Sequence, residues 1–321
     1  MRVSTELVMT NKLLVIAGPT ASGKSGLAVK IAESFAGVVI NADSMQVYGQ
    51  VPILTAQPSA EAQRLAPHRL YGVIPPEQVC SAGRWRGLAA EQCEAAWLTG
   101  RLPLLVGGSG LYIRSLLQGL SPIPDIPQEV RDETRALFLE LGNELFHQRL
   151  AARDPLTAAK LDPSNSQRLM RAWEVLTATG KSLAAWQAEP RQGAVAAEHA
   201  VITLTPPRQQ LYDSCDERLR MMLDNGALGE VAALLECKLD GALPVMKALG
   251  VADFAAYLQG DCDLAAALAR AQQATRNYAK RQLTWFRYQI IPQMQINEKF
   301  SESMIDKIFS FIRQFLLTAA R

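Results

Sequence analysis

The sequence has few of the residues that build metal centres: three histidines and five cysteines in 321 residues. The cysteines, Cys80, Cys93, Cys215, Cys237 and Cys262, show no C-x-x-C spacing and do not cluster with the histidines. That excludes a zinc site of the finger or ribbon type, and the odd count argues against a disulfide framework. Reduced thiols, and with them a cytoplasmic setting, are the expectation. Long apolar runs are also lacking. No stretch approaches bilayer-spanning length, and Met1–Lys12 has no apolar core of a secretion signal, so no membrane partner is expected. Charge of one sign is not in excess either: 33 Lys and Arg face 31 Asp and Glu. The whole-chain balance therefore identifies no partner, and only local clustering can. Internal repeats and low-complexity tracts are absent.

What is present is the composition of a globular protein, 49% hydrophobic and 20% charged, long enough to bury a sizeable core. Leu13–Ala17, Val38–Ile40 and Leu102–Val106 read as short buried strands, with helical text from Ser25 to about Phe35 and from Ser81 to Thr99. Strands alternating with helices predict an α/β fold with a parallel sheet. Pro122, Pro124 and Pro127 then interrupt the pattern. Helical text runs from Glu129 to about Trp186, a further strand follows at Ala200–Leu204, and helices continue from about Gln209 to Tyr288. The expected organisation is a P-loop α/β core over 1–125 and 199–321, a helical insertion over 126–198, and a helical C-terminal region that closes with an amphipathic segment, Met304–Leu317.

Three motifs sit at carboxyl ends of predicted strands, where open parallel sheets bind ligands. The first is Gly18-Pro19-Thr20-Ala21-Ser22-Gly23-Lys24-Ser25, of the form G-x-x-x-x-G-K-[ST]. Between a strand and a helix, such a loop presents backbone N–H groups to phosphate oxygens. Lys24 adds a charge, and the Ser25 hydroxyl can ligate Mg²⁺. The second is Asp43-Ser44-Met45-Gln46. Asp43 there can hold Mg²⁺, cap a following helix or act as a general base, and the facing P-loop favours the base. The third, Gly107-Gly108-Ser109-Gly110, offers a tight turn and one hydroxyl. No second apolar strand ends in the Asp or Asp-Glu of a nucleotide motor, and no adenine-binding signature is evident. Motors, helicases and transporters are thereby disfavoured. A small-molecule kinase of the shikimate or gluconate type and a non-catalytic, nucleotide-dependent RNA-binding protein stay open.

Longer motifs narrow this. GPTASGKS at 18–25, NADSMQVY at 41–48, TAQP at 55–58, VGGSGLY at 106–112, DPSNSQRLMRAWEVLTATGK at 162–181 and ATRNYAKRQLTWFR at 274–287 together resemble the tRNA dimethylallyltransferases, the IPP transferase family. The resemblance covers most of the chain. It implies a nucleotide-kinase-like fold, with the loop at 18–25 holding the diphosphate of dimethylallyl diphosphate instead of a nucleotide. It implies prenyl transfer to N6 of the adenine just 3′ of the anticodon, in tRNAs reading codons that begin with U, with Mg²⁺ as cofactor and release of diphosphate. Asp43 matches the general base, Ser109 stands where the family usually has Thr, and Arg218 matches an arginine that reaches the diphosphate. Asp43 to Gln46, Ser109, Arg131 and the run Gln167, Arg168, Leu169, Met170, Arg171 match tRNA contacts. Gly49, Gln57 and Ser214 stand where many members carry basic residues. A monomer is expected.

The last long helical segment adds a charge signal. From Leu264 to Asn297 there is no acidic residue, while Arg270, Arg276, Lys280, Arg281 and Arg287 fall in the stretch. Arg276, Lys280 and Arg287 share one helical face by spacing, and Tyr278, Arg281, Trp285 and Tyr288 mark another. Cations interleaved with aromatics suit an anticodon stem-loop, which offers phosphates and unstacked bases together.

Overall fold

The computed structural model describes residues 11–318. Six strands, β1 (Lys12–Ala17), β2 (Gly37–Asn41), β3 (His68–Arg69), β4 (Leu102–Gly107), β5 (Glu198–Leu204) and β6 (Met294–Ile296), form one sheet in the order β3-β2-β4-β1-β5-β6. All five pairings are parallel. Thirteen α-helices follow in chain order among the described residues: α1 (Lys24–Ser34), α2 (Ala60–Leu65), α3 (Ala82–Leu98), α4 (Gly110–Gln118), α5 (Gln128–Arg153), α6 (Pro155–Ala158), α7 (Ser166–Thr179), α8 (Leu183–Gln187), α9 (Arg208–Asp224), α10 (Ala227–Glu236), α11 (Val251–Leu258), α12 (Leu264–Gln289) and α13 (Ile305–Leu317). No helix among the described residues is long and apolar enough to cross a membrane.

Every residue of β1 is buried, because the sheet is covered on both faces, as parallel sheets require. Side chains alternate between the faces. Leu13, Val15 and Ala17 join a core with Trp85, Ile113 and Phe254. Leu14 and Ile16 join a second core with Leu27 and Ile31 of α1 and Ile308 and Ile312 of α13. Each such aliphatic side chain contributes about 1.5–3 kcal/mol on burial. The amphipathic segment near the C-terminus is therefore a packing helix of the sheet. Lys12 fixes it further. Its buried ammonium donates to the Phe315 and Thr318 carbonyls at 2.6 and 2.7 Å and pairs with Glu198 at 3.2 Å. A cation at a helix C-terminus satisfies otherwise orphaned carbonyls.

The chain divides into two compact units, residues 1–117 with 195–321, and residues 118–194. The second is helical and has its own core, in which Phe146 and Leu150 of α5 meet Leu169, Ala172, Trp173 and Val175 of α7. Gly142 interrupts α5 with non-helical backbone angles. The Asn165 side chain caps α7 by accepting from the Arg168 N–H, and Gly180 ends it in the left-handed region.

The strands legible as apolar runs are all present. The edge strands β3 and β6, two and three residues long, are not apolar runs. They are strands only because Val39 and Ile40, and Ile202 to Leu204, supply a hydrogen-bonding edge.

Candidate active site

The register places three strand ends side by side: Ala17 beside Gly107, and Asn41 beside Val106. The loop after β1, the turn after β2 and the turn after β4 therefore open onto one cavity of about 420 Å³. Its lining includes Thr20 to Gly26, Asp43, Gln46, Gly107, Gly108 and Arg218.

The phosphate loop is shaped by backbone. Ala21 takes φ 62° and Gly23 takes φ 91° as the N-cap of α1. No side chain caps that helix, so its first N–H groups stay available to an anion. Lys24 donates to the Pro19 carbonyl at 2.5 Å and reaches Ser22 Oγ at 3.5 Å. Burial pushes its pKa down to about 7, Arg218 adds to the fall, and Asp43 opposes it. Arg218, from α9, donates to the Thr20 hydroxyl. Its buried Nε has no hydrogen-bond partner among the described residues. An unpartnered guanidinium N–H beside an ammonium whose proton is disfavoured marks a site completed by an anion.

The opposite wall is held by side chain to backbone staples. Buried Asn41 accepts from the Asp43 N–H at 2.7 Å and donates to the Asp43 and Leu70 carbonyls, each at 3.0 Å. Asp43 Oδ1 accepts from the Met45 N–H at 2.9 Å. No helix starts here, so Asp43 is not a helix cap; that oxygen closes a local turn and the carboxylate still lines the cavity. Ser109 Oγ accepts from the Ser44 N–H at 2.9 Å and donates to Ser44 Oγ at 3.2 Å. The glycines of the third motif each answer to a neighbour. A Cβ on Gly107 would lie 2.1 Å from the Ala42 carbonyl, one on Gly108 2.2 Å from Gln282 Nε2, and one on Gly110 2.3 Å from the Trp285 ring.

Gln282 is the site residue that sequence reasoning missed. Buried on α12, it accepts from the Thr20 N–H at 2.8 Å and donates to the Gly108 carbonyl at 2.9 Å. One amide thus spans the two strand-end loops. Tyr278, one turn earlier, lies close to Ser109 and Gln282, and burial raises its pKa. Only the absence of charge at Gln282 within a basic helix hinted at an inward face.

The remaining expected contacts divide. Lys280 and Arg281 are exposed on α12. Lys280 lines a second cleft of about 480 Å³ with Arg208 and Arg287, and the Arg281 guanidinium lies 5.7 Å from the Tyr278 ring centroid. Arg276 does not join that face. It donates to both oxygens of Asp216 on α9, at 2.7 and 2.6 Å, so its charge is spent inside the fold. Gln46 commits its amide to the Thr55 and Ala56 carbonyls, bracing its own loop. In the helical unit, Gln167 and Arg168 are exposed, Met170 is half-buried, and Arg171 pairs with Glu174 at 3.4 Å. Leu169 is wholly enclosed in that unit's core, which removes its side chain from any RNA contact. Arg131 is half-buried and donates to the Ile126 carbonyl at 3.3 Å.

A metal has few protein ligands here. Among the described residues no three His, Cys, Asp or Glu side chains gather. The exposed Ser25 at the start of α1 lines the cavity. That donor set fits a cation held mainly by phosphate oxygens and water.

Comparison with known proteins is consistent along the chain. A family model described as IPP transferase matches residues 46–289, and one described as Isopentenyl transferase matches residues 11–72. A tRNA dimethylallyltransferase of Paramagnetospirillum magneticum is 57% identical over 306 residues, covering 95% of this chain and 97% of the relative. One from Rhodospirillum centenum is 52% identical over 285 residues, covering 88% and 90%. Among solved structures, the tRNA isopentenylpyrophosphate transferase of Bacillus halodurans superposes with TM-score 0.70 at 32% identity, covering 96% of this chain and 97% of that one. A eukaryotic dimethylallyltransferase described as acting on tRNA gives TM-score 0.79 at 26% identity, covering 95% and 78%.

Proposed function

The chain belongs to the IPP transferase family, and from that premise we propose that it is a tRNA dimethylallyltransferase that uses dimethylallyl diphosphate as donor. The acceptor is N6 of the adenine 3′ of the anticodon, in tRNAs reading codons that begin with U. The observation that carries the reading is the two-sided cavity, with half-buried cations and free helix N–H groups on one wall and a carboxylate on the other.

The adenine amine is a weak nucleophile because its lone pair is delocalised into the ring. An allylic diphosphate compensates, since positive charge can spread over the allyl group as the C1–O bond breaks. The electron pair of that bond stays on the leaving diphosphate. The N–H groups at the start of α1, Lys24 and Arg218 stabilise it. N6 forms the new bond to C1, and Asp43 accepts the N6 proton through the oxygen not engaged by Met45. Ser109, oriented by Ser44, offers a hydroxyl to the incoming adenosine. The base must leave its stack to reach this cavity. Mg²⁺, held by diphosphate oxygens, water and Ser25, would supply further positive charge at the leaving group. Lys280, Arg281 and Arg287 on α12, with Arg131, Gln167, Arg168 and Arg171 of the helical unit, are the residues through which tRNA is held. The working form is a cytoplasmic monomer.

The test is an acceptor assay with purified protein, Mg²⁺ and an unmodified anticodon stem-loop. A mass gain of one dimethylallyl group with dimethylallyl diphosphate, and none with ATP, is expected. No gain with the prenyl donor, together with ATP consumption on small hydroxylated substrates, would replace the transferase by a kinase.

A further inference from the structure

The chain returns to the phosphate loop after β6, and what it brings there is a cation. Phe300 rests on the loop. A Cβ on Gly23 would lie 2.9 Å from the Phe300 Cβ, and one on Gly26 would touch the Phe300 ring at 3.7 Å. The Phe300 N–H points to the Ser22 carbonyl at 3.5 Å, and its side chain packs against the apolar cluster shared by α1 and α13. Residue 299 is thereby placed beside the phosphate loop by its neighbour.

Lys299 lines the same cavity as Lys24 and Arg218. Its ammonium donates to Ser214 Oγ at 3.3 Å, on α9 one turn before Arg218. Among the described residues no carboxylate lies within 4.0 Å of that ammonium. Glu217 also lines the cavity without pairing to it. A long, exposed cation tethered only to a hydroxyl can swing onto a phosphate at little cost in broken contacts.

We propose that Lys299 is a third phosphate-binding cation of the donor site, acting on the diphosphate together with Lys24 and Arg218. The assignment rests on the prenyl-transfer reading of the cavity. When the C1–O bond breaks, its electron pair remains on oxygen, so the diphosphate product carries one more negative charge than the donor. A cation lining the cavity therefore acts more strongly on the product and leaving group than on the bound donor. Lys299 is sequentially remote from all three strand-end motifs, and reaches the cavity only because β6 adds to the sheet edge beside β5.

The experiment uses the full chain with Lys299→Ala and Lys299→Arg, leaving Phe300 in place. Binding of inorganic pyrophosphate with Mg²⁺ is measured by calorimetry, and KM values for dimethylallyl diphosphate and for the stem-loop by initial rates. Lys299→Ala is expected to weaken pyrophosphate about tenfold and to raise the donor KM about threefold, the scale of one exposed charge-assisted hydrogen bond. The stem-loop KM stays unchanged, and Lys299→Arg restores both losses. Unchanged pyrophosphate binding in Lys299→Ala would overturn the assignment. So would a loss confined to the stem-loop KM, which would make Lys299 an RNA contact. The calorimetry is independent of turnover. Wild-type protein that binds pyrophosphate through Lys299 but transfers no prenyl group would sink the proposed reaction and leave the phosphate-site assignment standing.

Discussion

The two walls of the cavity are built by different means. The donor wall is backbone: a loop with left-handed angles at Ala21 and Gly23, free N–H groups at the start of α1, and two cations, Lys24 hydrogen-bonded within the loop and Arg218 with its buried Nε unpartnered among the described residues. The acceptor wall is side chains already braced on backbone, with Asn41, Asp43 and Ser109 hydrogen-bonded to main-chain groups of Asp43, Met45 and Ser44. The donor wall is therefore poised for a ligand that brings negative charge, while the acceptor wall is rigid before any ligand arrives. Damage to the first should fall on donor binding and leaving-group stabilisation, and damage to the second on the proton and the base.

The largest effect that sharpens this contrast is expected from Lys24→Met. Loss of a preorganised cation at the leaving group should lower kcat/KM for the donor by about 10²–10³-fold, with stem-loop affinity unchanged in a binding titration. A stem-loop affinity that falls in parallel would break the separation of the walls. Gln282→Met comes next, because that amide touches both walls. It keeps the volume and loses both hydrogen bonds. About tenfold lower kcat, with KM shifts for donor and stem-loop together, is expected from two buried bonds; a shift in one KM alone would assign Gln282 to a single wall.

The pH dependence follows from Lys24. Burial holds its pKa at about 7 in the free site, and a bound diphosphate favours the charged form and raises it. Binding above pH 7 must then take up a proton. Affinity falls with rising pH by at most tenfold per unit until the bound-state pKa is passed. Calorimetry in two buffers of different ionisation enthalpy reads the uptake, which Lys24→Met should abolish. Uptake that persists in the variant would place the proton elsewhere. The smallest effect on function is expected from Arg276→Ala. Its loss strands Asp216, half-buried, and should cost about 1–2 kcal/mol of stability in a denaturant titration. RNA affinity and its salt slope should be unaltered, whereas Lys280→Ala should flatten that slope.

Legibility in the sequence follows the same divide. The donor loop is eight contiguous residues whose chemistry is written in their order, and the strands before it and beside it are apolar runs. Asp43 and Ser109 were legible because they follow such runs at strand ends. The staples between them were not, since Ser44 and Ser109 are 65 residues apart. Gln282 was hidden for the same reason, 262 residues from Thr20. Helical spacing put Arg276 on the same face as Lys280, but spacing carries no information on what packs opposite, and α9 brings Asp216 there. Leu169 sits inside a run that reads as a nucleic-acid contact, yet α7 needs an apolar stripe to meet α5, and Leu169 is part of it.

The central claim is that Asp43 acts on the acceptor proton and not on the donor. One sample of Asp43→Asn, which keeps the acceptor for the Met45 N–H, tests it in a single-turnover experiment with dimethylallyl diphosphate prebound and the stem-loop added last. The account predicts donor affinity within about twofold of wild type and a transfer rate lower by about 10²–10⁴-fold. A transfer rate equal to wild type would contradict it, and would leave Asp43 as the keystone of a turn and nothing more.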